Sequence, residues 1–157
     1  MRNKARLVCK VYAQVEERYF DETFELVEIL ESIRMFLAYS SHKNFKVYHM
    51  DVKSTFLNGD LEEEFYIEKP EGYQLKDNPK NVYKLKKALY GLKQAPRSWY
   101  YRMDKYLQDK GFKKGIVDSK LYIKSEGDSL LVVLLYVDAI IFGCTNDSFV
   151  QWFANAM

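Results

Sequence analysis

The sequence predicts an α+β domain built around an antiparallel β-sheet. Segments rich in β-formers and amphipathic helical segments follow one another without the regular strand–helix alternation that is typical of parallel sheets. The run LLVVLLYVDAIIFG (130–143) is apolar apart from Asp138, and a two-residue turn at Val137-Asp138 would make it a tight hairpin of buried strands. The chain has 157 residues, 48% hydrophobic and 29% charged, which suits one domain with a packed core.

The first part of the chain is predicted to contain a strand, a helix and a second strand. Residues 4–14 include RLVCKVYAQ, which is rich in β-formers, so we expect a strand there. Apolar residues recur at helical spacing from about Val27 to Ser41, which predicts a helix. FKVYHMDV (45–52) is a β-rich run that contains Asp51, and Asn58-Gly59 after it is a turn signal.

The rest of the chain is predicted to contain short strands, the hairpin and two more helices. FYIEKP (65–70), VYKL (82–85) and KLYIKS (120–125) read as short strands. Pro96 suits the first turn of a helix whose apolar face continues through Gln108. A last helix is expected to begin behind Asn146 or Asp147.

Composition and charge limit the classes of protein that the chain can belong to. A net charge of +2 does not by itself indicate a nucleic-acid partner, although local basic clusters can still bind one. Cys9 and Cys144 lack metal-binding or redox spacing, which indicates buried thiols in a reducing compartment. No stretch is long and apolar enough for a secretory signal or a membrane span. We therefore expect an intracellular protein, cytoplasmic or nuclear and not secreted, with no membrane partner.

Three long motifs carry a resemblance to a known family. They are YHMDVKSTFLNGDLEEEFYIEKPEGY, KKALYGLKQAPRSWY and LLYVDAIIFG. In this order and spacing the chain resembles the reverse transcriptase (RNA-directed DNA polymerase) domain of Ty1/copia-type retrotransposons over nearly its whole length. The resemblance implies a polymerase palm, an antiparallel sheet backed by helices, with part of the fingers and no thumb. Residues 1–45 would be the fingers part and first helix, and residues 46–157 the palm with a fingers insertion.

The resemblance implies a catalytic site at two aspartates. Asp51 and Asp138 match the family's carboxylates, which with the backbone carbonyl of Val52 would hold two Mg²⁺ ions for nucleotidyl transfer. If strands 45–52 and 139–144 pair, the two aspartates are adjacent. Ala139 stands where the family has a second aspartate, so YVDD reads YVDA. Loss of one preorganised electrostatic group costs on the order of 10²–10³ in rate, so we expect an inactive or severely impaired chain.

The same resemblance implies contacts to a template–primer of RNA or DNA and to deoxynucleoside triphosphates. Phe56 would exclude a 2′-hydroxyl by its bulk, and its alternative role is a core side chain. The other nucleotide-binding candidates are Gln94, Arg6 and Lys4, and the nucleic-acid-binding candidates are Lys93 and Arg97. Further lysines between residues 84 and 87 are interleaved with aromatic residues, as in single-strand binding surfaces. The alternative reading of that cluster is a solvated basic face, and the acidic run after Asp60 is expected to be solvated surface.

Other departures from the family pattern accompany Ala139. Val11 replaces a usual glycine, Leu26 a proline and Thr55 an alanine. The chain is also expected to begin inside the fingers and to end just past the palm hairpin. These features predict a degenerate reverse transcriptase fragment, with a non-catalytic nucleic-acid-binding or interaction domain on the same fold as the alternative. A third possibility is an unrelated α+β module in which the two aspartates are incidental. The sequence indicates no oligomeric state.

Overall fold

A computed structural model describes residues 5–10, 30–70, 72–73 and 81–157 of the chain. The chain divides into two compact units. The first unit comprises residues 1–25 and 54–102, and the second unit comprises residues 26–53 and 103–157. Within the described residues, no helix has both the length and the apolar character needed to cross a membrane.

The elements of the described ranges are three α-helices, seven β-strands and a short 3-10 helix. The helices are α1 (Leu30–His42), α2 (Ala95–Asp109) and α3 (Asp147–Ala156), with the 3-10 turn at Thr55–Asn58. The strands are β1 (Lys46–Asp51), β2 (Asp60–Ile67), β3 (Tyr83–Lys87), β4 (Lys113–Lys114), β5 (Leu121–Glu126), β6 (Ser129–Leu135) and β7 (Ala139–Cys144).

The second unit is built on a five-stranded sheet with the strand order β1-β7-β6-β5-β4, antiparallel throughout. β6 and β7 form the tight hairpin expected from the apolar run. Leu135 pairs with Ile140, and the N–H of Tyr136 donates to the carbonyl of Ala139 at 2.7 Å, so the turn consists of two residues. The predicted α+β class with an antiparallel sheet is thus confirmed.

Side chains of the central strands β6 and β7 are mostly buried, and because successive residues of a strand point to opposite sides, they pack on both faces of the sheet. On one face the ring of Phe142 stacks on Tyr48 and contacts Phe153 of α3, with centroid distances of 5.5 and 4.9 Å. On the other face Phe36 of α1 clusters with Val132 and the neighbouring Leu134 of β6. Side chains of α3 on one face and of α1 on the other therefore bury the central strands β6 and β7.

A hydrogen-bonded carboxylate joins the second half of α2 to this sheet. The hydroxyl of Tyr122, a fully buried residue of β5, donates to Asp104 at 2.6 Å. Lys114 of β4 lies 3.2 Å from the same carboxylate oxygen. Partial burial acts to raise the pKa of Asp104, but hydrogen bonds from Tyr122, Gln108 and Lys114 and the Lys114 charge prevail and lower it. Asp104 is therefore an ionised anchor between helix and sheet.

The first unit contains the two-stranded antiparallel sheet of β2 and β3 and a small core. Phe65 of β2 clusters with Ala88, Leu92 and Ala95. The turn at Gly59 approaches the start of α2 closely, since a Cβ on Gly59 would lie 2.8 Å from the backbone nitrogen of Trp99. Only glycine fits there, which explains the residue in the predicted Asn58-Gly59 turn.

Several boundaries differ from the sequence prediction. Residues 5–10 form an isolated bridge at Val8 instead of the predicted strand, and the rest of 4–14 lies outside the described residues. β2 begins at Asp60, not at residue 65, although DLEEE is poor in β-formers. Its acidic side chains face a lysine-rich partner strand, and opposite charges across a ladder favour pairing. The departures at Val11 and Leu26 also lie outside the described residues.

Candidate functional site

The two predicted catalytic aspartates lie at the same end of neighbouring strands. β1 pairs antiparallel with β7 so that Asp51 is directly opposite Ala139. One residue further, the N–H of Val52 donates to the carbonyl of Asp138 at 2.7 Å. Directly opposed residues of such a pair have Cα atoms about 4.5–5.5 Å apart. The expected pairing of the two strands is therefore present, so Asp51 and Asp138 lie at neighbouring strand ends, and both residues are solvent-exposed.

The hairpin turn that carries Asp138 is not one of the usual two-residue hairpin types. Positive φ among the described non-glycine residues occurs only at Asn44 and Ser54, so neither Val137 nor Asp138 has it. Type I′ and II′ turns require positive φ at their first central residue. The local backbone preferences therefore do not favour this turn. The hydrogen bond from the N–H of Val52, which follows β1, to the Asp138 carbonyl helps to stabilise it.

The donor set at this sheet end suits a magnesium site that is completed by substrate. Over the ranges that the structure describes, no group of three or more His, Cys, Asp or Glu side chains is arranged to hold a metal. Asp51 and Asp138 instead supply two carboxylates. Magnesium is commonly bound by one or two carboxylates plus substrate phosphates, whereas a protein-only cage needs more ligands. Asp51, Asp138 and the carbonyl of Val52 are therefore the groups here that could hold Mg²⁺, with substrate phosphates as the further ligands.

Ala139 lies directly opposite Asp51 in the β1–β7 pair. Because the two residues are directly opposed in an antiparallel pair, the side chain of Ala139 projects to the same face of the sheet as that of Asp51. Any carboxylate at position 139 would thus stand beside the Asp51 carboxylate. The methyl group present can neither bind a cation nor shape the electrostatic field there.

Two predicted nucleotide-binding residues of the first unit meet at one aromatic ring. The guanidinium carbon of Arg6 lies 5.1 Å from the centroid of the Tyr90 ring. The Phe56 ring contacts the same tyrosine edge-to-face at 5.3 Å. Phe56 also packs beside the core of the first unit, so the alternative reading of a partly buried core residue describes its position as well. Tyr90 is not among the residues predicted to bind the nucleotide.

The segment that carries Arg6 is attached to the LYGLKQAP loop through the backbone. The N–H of Cys9 donates to the carbonyl of Tyr90 at 2.7 Å. Gly91 has φ +91°, and a Cβ there would lie 2.4 Å from the Cys9 carbonyl oxygen. The close approach that Gly91 permits is thus to the protein's own chain. Of the two cysteines expected to be buried, Cys144 is buried, whereas Cys9 is only half-buried, and this partial burial raises the pKa of its thiol.

The remaining predicted contacts differ in accessibility. Gln94 is only 3% exposed, so a contact with nucleotide would require its side chain to become accessible. Lys93 is exposed, and the half-buried Arg97 places its guanidinium carbon 5.5 Å from the centroid of the Tyr101 ring. Lys4 lies outside the described residues. The roles of all four stay predictions.

The basic strand β3 is partly neutralised by its partner β2. Lys84 forms an ion pair and hydrogen bond with Glu64, and the Tyr66 hydroxyl donates to the same carboxylate at 2.9 Å. The hydrogen bonds from Lys84 and then Tyr66 lower the pKa of Glu64. The acidic run is solvent-exposed, as expected, but it also pairs with part of the lysine cluster. Lysine spacing alone gave no sign of this pairing, which depends on the register between the two strands.

Comparison with known proteins identifies the family. The family model described as reverse transcriptase (RNA-dependent DNA polymerase) matches residues 1–157. The chain is 42% identical over 139 residues, 88% of its length, to the retrovirus-related Pol polyprotein from transposon TNT 1-94 of Nicotiana tabacum. It is 41% identical over 140 residues, 89% of its length, to the corresponding polyprotein from transposon RE1 of Arabidopsis thaliana.

A more distant relative is the transposon Ty1-BL Gag-Pol polyprotein of Saccharomyces cerevisiae, 35% identical over 71 residues, which are 45% of this chain and 4% of that one. The alignments cover only 10% of the length of the tobacco and Arabidopsis polyproteins. No solved structure matches the chain significantly. The full-length family match and the identity to plant polyproteins show that this chain belongs to the reverse transcriptase family, as a domain of the kind found in copia-type retrotransposon Pol polyproteins.

Proposed function

We propose that this domain is built for RNA-directed DNA synthesis, with Asp51, Asp138 and the Val52 carbonyl as the magnesium ligands. The observation that supports the proposal is the β1–β7 pairing, because Asp51 and Asp138 stand at the paired ends of these two strands. The substrates would be deoxynucleoside triphosphates and a primer on an RNA or DNA template. Two bound magnesium ions would supply activation of the primer 3′-hydroxyl and charge neutralisation at the leaving pyrophosphate.

The protein's own groups would divide the work by their chemistry. Asp51 and Asp138 provide hard oxygen ligands on neighbouring backbones that cannot move apart without breaking sheet hydrogen bonds. Arg6, and Lys4 with it, would bind the triphosphate, for which a guanidinium offers a rigid fork of donors. Phe56 would exclude a ribose 2′-hydroxyl by its bulk. Gln94 would contact the nucleotide, and Lys93 and Arg97 the nucleic-acid backbone.

In this proposal Ala139 is the reason for low or absent activity. The alanine removes one negative group from the position opposite Asp51, at a cost on the order of 10²–10³ in rate. The remaining pair keeps the geometry of the site but holds less charge to balance the cations.

We assign the second unit to the palm and the first unit to the fingers. The palm assignment rests on the antiparallel sheet that carries both carboxylates. The predicted fingers insertion within residues 46–157 then corresponds to residues 54–102, which share a unit with the start of the chain. Such a domain acts where its RNA template is, in the cytoplasm or the nucleus.

A non-catalytic nucleic-acid-binding role is the second candidate, and Ala139 favours it. The proposed nucleic-acid-binding residues are still present, with Lys93 exposed and Arg97 half-buried. Alanine at position 139 lacks only a carboxylate that catalysis would need. A domain of this kind would bind template–primer without extending it. Partial neutralisation of β3 by β2 makes such binding weaker than the lysine count alone suggests.

The test is magnesium-dependent extension of a DNA primer on an RNA template. The chain as written is compared with Ala139→Asp and with Ala139→Asn, which matches aspartate in size but adds no charge. We expect extension only from Ala139→Asp, and its loss again when Asp51→Asn is added. Extension by the unaltered chain within about tenfold of Ala139→Asp would contradict the proposed impairment. A folded Ala139→Asp chain that shifts template–primer in a gel without extending it would favour the binding role.

A further inference from the structure

Tyr90 has an unusual concentration of contacts in the first unit. The Arg6 guanidinium carbon lies 5.1 Å from the centroid of its ring, and the Phe56 ring contacts it edge-to-face with a centroid distance of 5.3 Å. Its backbone carbonyl accepts the Cys9 N–H at 2.7 Å, and its backbone bridges to Val8 in parallel orientation. One residue therefore contacts both the segment that carries Arg6 and the 3-10 turn that carries Phe56.

We propose that Tyr90 is a positioning residue that sets the triphosphate contact of Arg6 and the sugar contact of Phe56 together. This inference rests on the proposed function, in which those two side chains bind the nucleotide. Tyr90 needs no contact with the nucleotide itself. It acts through its ring, which is half-buried and contacts both side chains.

The physical basis for the effect on Arg6 is restriction of a long exposed side chain. Arg6 is exposed, so without a partner its guanidinium would sample many rotamers. A guanidinium over an aromatic face is attracted by the ring quadrupole and keeps its in-plane N–H donors available. The Cys9–Tyr90 hydrogen bond fixes the backbone nearby, so the ring only has to orient the side chain. Arg6 would thus be held ready for a phosphate before the nucleotide arrives.

The physical basis for the effect on Phe56 is steric support. Its ring meets the Tyr90 ring at 65° between planes, an edge-to-face contact of the preferred kind. The same phenylalanine packs beside Ala88 and Leu92 of the first-unit core. A smaller residue at position 90 would leave space on one side, and the Phe56 ring could tilt into it. A tilted ring would exclude the 2′-hydroxyl less strictly.

The two effects appear in different measurements, which separates a positioning role from general destabilisation. In the Ala139→Asp background, we expect Tyr90→Leu to raise the KM for dGTP about 2- to 5-fold, the range for an exposed cation–π contact. Loss of support at Phe56 should in addition raise the efficiency of GTP relative to dGTP. Tyr90→Phe keeps the ring and should restore both values. Tyr66→Leu is the control, since Tyr66 is an exposed tyrosine of β2 whose hydroxyl bonds Glu64.

A double-mutant cycle tests whether Tyr90 acts through Arg6. Once Arg6→Ala has removed the guanidinium, Tyr90→Leu should add little further change to the KM for dGTP. Full additivity of the two effects on KM would overturn the inference, as would unchanged KM and sugar selectivity in Tyr90→Leu. A failure of Tyr90→Phe to restore either value would also overturn it, because the ring would then not be the acting group.

Equilibrium dialysis of radiolabelled dGTP with magnesium and template–primer separates failure of the inference from failure of the proposed function. Binding by the chain as written, weakened in Tyr90→Leu and retained in Tyr90→Phe, supports both. Equal binding by all three leaves the nucleotide site in place and removes the role of Tyr90. Absence of binding by the chain as written and by Ala139→Asp, with no extension, rejects the proposed function and the inference with it.

Discussion

The register of β1 and β7 predicts how Ala139→Asp changes the stability of the fold. Asp51 and position 139 are directly opposed in the β1–β7 pair, so Ala139→Asp would put two carboxylates on one sheet face. Opposed side chains have Cβ atoms about 4.5–5.5 Å apart. At about 5 Å, two like charges repel by roughly 0.8 kcal/mol in water and roughly 3 kcal/mol at an effective dielectric constant near 20. Since Asp51 is exposed, we expect a cost near the lower value, about 1 kcal/mol.

This cost should lower the melting temperature of Ala139→Asp, and bound Mg²⁺ should raise it again. For a chain of this size, about 1 kcal/mol corresponds to roughly 2–4 °C. Ala139→Asn is the matched control because asparagine has the same shape and an equally poor strand propensity without the charge. If the Ala139→Asp site binds Mg²⁺ with a Kd of about 1 mM, 10 mM Mg²⁺ returns roughly 1.4 kcal/mol.

The assay is thermal unfolding followed by circular dichroism at low ionic strength, with and without Mg²⁺. We expect Ala139→Asp to melt below Ala139→Asn without divalent cation and to rise selectively when Mg²⁺ is added. Added sodium chloride should narrow the gap without producing the selective rise, because it screens exposed charges. Equal melting temperatures for the two variants under all conditions would refute the reasoning that places position 139 opposite Asp51.

Three further predictions concern stability. Tyr122→Phe should lower the free energy of unfolding in urea by about 1.5–3 kcal/mol, because it removes a hydrogen bond to the ionised Asp104. As the folded pKa of Asp104 is lowered, its contribution is present above the unfolded pKa of about 3.9 and is lost as pH falls through the folded value. The Tyr122→Phe difference should therefore shrink in titrations below about pH 4, and a constant difference would argue against ionised Asp104. Gly91→Ala should cost about 2 kcal/mol or more, since its positive φ and the nearby Cys9 carbonyl leave no room for a methyl group; an unchanged melting temperature would contradict that packing. Phe153→Ala should cost about 3–5 kcal/mol in urea unfolding, because the ring is 1% exposed and contacts the sheet core, and a loss below 1 kcal/mol would contradict its burial.

Local patterns were reliable wherever neighbours in sequence decide the structure. The apolar run 130–143 predicted the β6–β7 hairpin because a β-branched-rich apolar run with a turn at its middle is consistent with two buried strands. The last helix was expected behind Asn146 or Asp147, and in the structure the Asn146 side chain accepts hydrogen bonds from the N–H groups of Ser148 and Phe149. The short pair Lys113–Lys114 was not predicted as a strand, since its only reason to be extended is the ladder with β5.

Ion pairs between distant segments were less predictable from the sequence than the helices and strands. The acidic and lysine-rich segments each look like solvated surface when they are read alone. Their pairing as β2 and β3 brings Lys84 and Glu64 together as an ion pair. Asp60 of β2 also has a cationic neighbour outside the sheet, Arg102 of α2 at 3.3 Å. The reason is that electrostatic partners are chosen by register, which a linear pattern does not contain.

The sequence by itself determined the family and the residues that could do its chemistry, since motifs such as YHMD and YVDA are local and ordered. It also showed that Ala139 stands where a carboxylate is usual. Only the tertiary structure decided that Ala139 is directly opposite Asp51 and that Tyr90 contacts both Arg6 and Phe56. These relations join segments far apart along the chain, and they arise from sheet order and backbone docking, which are set by how the whole core packs.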